Sequence, residues 1–138
     1  MTAPLFVDTG YAIALINRRD QHHAAAQRLA ERFAARSLVT TDAVLLELGS
    51  ALAYGFRAAS VELIGHFIEA PDVEVVSLTD TLRSASLAFY AAHEDKPWSL
   101  TDCISFVVMR QRGLIEALAF DRHFEQAGFR ALLRETSS

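Results

Sequence analysis

A parallel α/β sheet of about five strands, flanked by helices, is the fold class this sequence predicts. Short apolar runs alternate along the chain with longer stretches of helical periodicity. Two of those runs, Leu5-Phe6-Val7 and Ala117-Leu118-Ala119-Phe120, lack in/out alternation, as strands buried on both faces do. The length of 138 residues, with 51% hydrophobic and 22% charged, suits one globular domain over residues 1–138.

The elements follow in order. Leu5-Phe6-Val7 is a strand ended by Asp8, and Thr9 to Asn17 a helix with Ala12, Leu15 and Ile16 on one face. Asp20 to Arg36 reads as a helix capped by Asp20, with Ala25, Leu29 and Phe33 at four-residue steps. Ser37 to Thr40 is a second strand. Asp42 is the expected cap of a helix striped by Leu45, Leu48 and Leu52, and Ser60 of the next, through Leu63, Ile64, Phe67 and Ile68 to Pro71. A strand over Val73 to Leu78 leads to a helix over Thr79 to Glu94. After the connector Lys96-Pro97-Trp98, a helix from Leu100 to Arg112 is closed by Gly113. A fourth strand lies within Leu114 to Phe120, a helical turn over Asp121 to Gln126, and a last strand over Phe129 to Leu133.

Composition narrows the function. The single cysteine, Cys103, allows no intramolecular disulfide and fits a reducing cytosol. The N-terminal segment has no basic region and its apolar run breaks at Asp8, so no secretory signal is expected. No apolar segment approaches the ~20 residues of a membrane span. The net charge of -4 argues against a broadly basic nucleic-acid surface, although carboxylates that serve a metal lower the net charge while a local basic rim persists. Of the 13 basic residues only Lys96 is a lysine, a bias that favours bidentate phosphate or carboxylate contacts.

Ligands of open parallel sheets bind beyond the carboxyl ends of the strands. Asp8 and Asp121 directly follow strands, Glu47 lies just inside a helix after a strand, and Asp102 falls in the first turn of another helix. Four carboxylates converging on one edge repel each other unless a divalent cation joins them, and oxygen-only ligation favours magnesium or manganese over zinc. Each acid also has a plainer reading. Asp8 and Asp121 are natural N-caps, Ser99-Leu100-Thr101-Asp102 resembles a capping box, and Glu47 is equally an ordinary solvated residue. Capping cannot explain Glu47, whose helical neighbours Ala43, Ser50 and Ala51 are small enough to leave space for an ion. The tetrapeptide Ser77-Leu78-Thr79-Asp80 echoes Ser99 to Asp102. An edge position for its strand would put Asp80 about two strand spacings of ~4.8 Å from the centre, so Asp80 is expected to cap.

Phe6-Val7-Asp8-Thr9-Gly10, the glutamate of Leu45-Leu46-Glu47-Leu48, Ser99 to Phe106, and Phe120-Asp121 ahead of Phe124 and Gly128-Phe129 together resemble the PIN domain, more narrowly the VapC-type toxins of bacterial toxin–antitoxin pairs. The resemblance spans nearly the whole chain. It implies strand order 3-2-1-4-5 and magnesium- or manganese-dependent cleavage of RNA. By motif position it implies Asp8, Glu47 and Asp102 as core ligands, Asp121 as a fourth acid, and Thr9 and Thr101 as hydroxyl support. It also implies a homodimer and a small antitoxin. The apolar helices around Leu45, Leu48, Leu52 and Phe56 and around Leu63, Ile64, Phe67 and Ile68 suggest a groove for such a partner. The alternative is a non-catalytic PIN-like module that binds RNA or protein.

Other chemistries fit less well. Cys103 reads as a small buried residue, and none of the histidines has zinc spacing with it. His22-His23 read as surface residues, and Trp98 and Phe106 as core rather than base-stacking platforms. Arg28, Arg32 and Arg36 share a helix face that is read as solvated. A phosphoacceptor receiver would need a lysine at a late strand end, where this chain has none.

Overall fold

The computed structural model describes residues 2–137. Five parallel strands, β1 (Leu5–Val7), β2 (Leu38–Thr41), β3 (Val73–Val76), β4 (Glu116–Leu118) and β5 (Arg130–Ala131), form one sheet in the order β3-β2-β1-β4-β5. The helices are α1 (Thr9–Ile16), α2 (His23–Arg32), α3 (Asp42–Ala51), α4 (Arg57–Glu69), α5 (Asp80–Ala92), α6 (Leu100–Arg112), α7 (Arg122–Gln126) and α8 (Leu132–Ser137).

The central strand β1 pairs Phe6 with Val39 of β2 and with Ala117 of β4. Successive strand side chains point to opposite faces, and β1 feeds two cores in this way. Phe6 packs with Val39, Phe106, Val108 and Phe124 on the α5–α6 side. Leu5 and Val7 pack with Tyr11, Ala26, Leu29, Phe67 and Leu133 on the other. Trp98 and Phe106 are core residues, their rings in edge-to-face contact at 5.1 Å. Cys103 is buried.

Several element boundaries depart from expectation. Asp20 does not cap α2. Its Oδ1 accepts from the His22 backbone N–H at 2.8 Å, a local turn that delays the helix to His23. At the other end Arg36 leaves the helical path and donates to the Ala3 carbonyl, reaching Glu116 as well. Thr41, not Asp42, caps α3 by accepting from the Val44 N–H, which frees Asp42 Oδ2 to accept from the Leu78 N–H at 3.1 Å. The fourth helix begins at Arg57, ahead of Ser60. Thr79 rather than Asp80 caps α5, and exposed Asp80 pairs with Arg83 at 2.9 Å. The final strand is only two residues long, pairing Arg130 and Ala131 with Glu116 and Ala117 of β4. From Leu132 the chain turns into α8, its Leu133 N–H bonded to the Ala119 carbonyl.

Candidate metal centre and cleft

The carboxyl ends of β1 and β4 open into a cleft of about 790 Å³ whose walls include Asp8, Thr9, Glu47, Asp102 and Asp121. All four expected acids therefore share one cavity. Asp80 lies elsewhere, as the edge position of β3 requires. Thr101 is not part of the wall; its carbonyl accepts from Ser105 Oγ within α6.

Asp8 occupies the N-cap position of α1 but its side chain makes no capping bond. It is 8% exposed. Burial, reinforced by the charges of Asp102, Glu47 and Asp121, pushes its carboxyl up to about 7, against a lowering contribution from the Thr9 backbone N–H. Asp102 both caps and faces the cleft. Its Oδ2 accepts from the Ser99 N–H at 3.1 Å and completes the capping box of α6. That oxygen also meets His123 Nδ1 at 2.9 Å. Asp121 caps α7 by accepting from the His123 N–H at 2.9 Å, and its Oδ1 lies 3.2 Å from His123 Nδ1. His123 Nδ1 thus lies within hydrogen-bonding distance of both carboxylates and links Asp102 to Asp121. Glu47 stands on the exposed side of α3, with small Ala51 beside it in the wall.

His123 is the residue that sequence reasoning missed. Its only local signal is its place two residues after a strand-end aspartate; a zinc spacing with Cys103 does not reveal it. Asp102, Asp121 and His123 present ligand atoms within 4.8 Å of one another. The site fits a divalent cation that prefers oxygen. Thr9 Oγ1 is buried without a hydrogen-bond partner among the described residues, and the raised Asp8 carboxyl registers like charges that a cation would neutralise. His22 and His23 are not simple surface residues. The His22 ring stacks on Phe120 at the cleft, and His23 Nδ1 bonds the Ala14 carbonyl at 2.6 Å.

The PIN domain family matches residues 5–130. The chain belongs to the PIN domain family. Among similar proteins of known activity is the 23S rRNA-specific endonuclease VapC20 of Mycobacterium tuberculosis, in two strains. It is 34% identical over 129 residues, which cover 91% of this chain and 95% of the relative. The crystal structure of M. tuberculosis VapC20, described as a sarcin-ricin loop cleaving toxin, superposes with a TM-score of 0.82 at 29% identity, covering 92% of this PIN domain and 97% of that chain. The expected strand order is thus present in this PIN domain and agrees with a solved fold. No described helix of this PIN domain is long and apolar enough to cross a membrane.

Proposed function

We propose that this PIN domain is a cytoplasmic, magnesium- or manganese-dependent endoribonuclease, the toxin of a toxin–antitoxin pair, and that it cuts a loop of ribosomal RNA. The observation that carries this reading is the convergence of Asp8, Glu47, Asp102 and Asp121 on one cleft. The similarity to VapC20 supports the choice of RNA. A binding module without catalysis would have no need of all four acids.

In this reading Asp8, Glu47, Asp102 and Asp121 hold the ion, with Thr9 Oγ1 as hydroxyl support. A bound magnesium or manganese ion supplies Lewis acidity toward water and toward the phosphoryl oxygens of the scissile bond. Asp102 Oδ2 is committed to Ser99 and His123, so Oδ1 would be the oxygen left to hold the ion. Asp121, more exposed and bonded through Oδ1 to His123, is the carboxylate placed to orient the attacking water or take its proton. His123 holds both carboxylates in register.

The deciding experiment incubates the purified chain with RNA in magnesium, in manganese and in chelator. Cleavage in either metal, its loss in chelator, and a fall on the order of 100-fold or more in Asp121→Asn and Asp8→Asn are expected. Cleavage that persists in chelator and in both variants sinks the reading.

The partner reading has a physical basis of its own. The faces of α3 and α4 that turn away from the core leave Leu46 71% and Ile68 63% exposed. Both line a second cleft of about 820 Å³ with Leu45, Gly49, Ala53 and Ile64. Leu48, Leu52 and Phe67, expected at a groove, are instead buried in the core. We assign this groove to the antitoxin and expect a homodimer in solution.

A further inference from the structure

We propose that His22, stacked on Phe120 beside the acidic cleft, is a platform on which one unpaired base of the RNA substrate stacks. The proposal rests on the ribonuclease reading above and deepens it by naming the part of the substrate that the cleft's rim recognises.

The two rings are 3.5 Å apart between centroids and tilted by 30°. Phe120 immediately precedes Asp121, so the stack stands one residue from the acid cluster, and both rings line the same cleft as the four acids. The stack is braced from two sides. Asp20 Oδ1 accepts from the His22 backbone N–H and holds the turn that presents the imidazole. The Arg134 guanidinium lies 5.5 Å from the Phe120 centroid, itself anchored to Glu125 at 2.7 Å. Phe120 is thus engaged by both His22 and Arg134, and His22, half-buried at the cleft wall, is the ring of the pair with the polar edge.

The polar edge of His22 separates it from the other imidazoles near by. His23 bonds a backbone carbonyl, and His123 bonds two carboxylates. The ring nitrogens of His22 have no hydrogen-bond partner among the described residues, and the residue is half-buried rather than sealed in. A π face with a free donor or acceptor edge, close to Arg122 and Arg134 and to a cation site, matches an unstacked nucleotide: a base, its edge and its phosphate. A paired helix hides its base faces, so the platform selects loops and single strands.

The test walks a single abasic nucleotide through a short RNA that the chain cleaves, and measures kcat and KM in magnesium. In the parent chain one position near the scissile bond should raise KM by about 5- to 100-fold with little change in kcat. His22→Ala should show that raised KM on intact RNA and lose the abasic penalty, whereas His22→Phe should retain both the low KM and the penalty. His22→Leu, which keeps packing on Phe120 without a π face, should behave as His22→Ala and covers the case in which alanine impairs folding. Fluorescence anisotropy of the same oligonucleotides in calcium reads binding alone. Abasic-sensitive binding without cleavage would retain the platform and overturn the nuclease reading. Parent-like KM in His22→Ala and His22→Leu, or an abasic penalty that persists in both, overturns the platform.

Discussion

Asp8 sits at the N-cap position of α1 without a side-chain capping bond, and its burial beside Asp102, Glu47 and Asp121 outweighs its contact with the Thr9 backbone N–H. The energetic sign follows from its raised carboxyl. The folded state holds this proton up to about pH 7, while an ordinary unfolded aspartate releases it near 3.8. Between those values the folded state binds more protons, and stability falls as pH rises, reaching a full loss of about 4 kcal/mol above pH 7. Asp8→Asn removes that loss. In chelator the variant should melt several degrees above the parent at pH 8, with the advantage shrinking toward pH 4. Thermal melts across that range check it, and equal melting temperatures at pH 8 would contradict the electrostatic account. The same proton must leave before a cation binds, so metal affinity in the parent should strengthen as pH rises through 7.

At the scale of elements, α6 shows how one motif serves two purposes. Ser99 Oγ accepts from the Asp102 N–H at 3.0 Å while Asp102 Oδ2 accepts from the Ser99 N–H, so the capping box that starts the helix also aims a carboxylate at the cleft. At the far end Gly113 adopts φ 66°, a left-handed conformation that costs other residues more, and the chain turns toward β4. Ser99→Ala should cost about 1 kcal/mol in chemical denaturation, with Ser99→Thr recovering most of it. A Ser99→Ala chain with unchanged stability would show that packing of the buried face Cys103 to Met109 alone sets this helix start. Helix α7 repeats the device on a smaller scale, for Asp121 caps it and faces the acid cluster.

At the scale of the molecule, the acidic cleft and the apolar groove are lined by different residues, and α3 contributes to both. Glu47 and Ala51 face the first; Leu45, Leu46 and Gly49 face the second. A ligand seated in the groove therefore bears on the helix that carries Glu47. If the groove seats the proposed antitoxin, Leu46→Lys combined with Ile68→Lys should leave RNA cleavage by the purified chain intact and abolish neutralisation, so that co-expression of a cognate antitoxin gene no longer restores growth. Continued rescue by that gene would place the antitoxin elsewhere on the surface.

Patterning alone determined the parallel α/β class and the buried strand Leu5-Phe6-Val7 ended by Asp8, because burial on both faces leaves a plain apolar run. The central place of that strand came from the family resemblance, and the apolar run ahead of Asp121 outlasts β4, which stops at Leu118. The capping box at Ser99 was legible because it is a contact between residues three apart. What only the tertiary structure decided depends on contacts between distant segments. Asp42 was available to bond Leu78 because Thr41 took over the cap, and α2 starts at His23 because the Asp20 side chain closes a turn first. The pairing of His123 with Asp102 spans two helices that meet only after β4 and α6 pack against β1, and the His22–Phe120 stack joins segments nearly a hundred residues apart in sequence. No local pattern encodes such a meeting. It is set by the strand order, which brings the ends of β1 and β4 side by side and gathers their neighbours around one cleft.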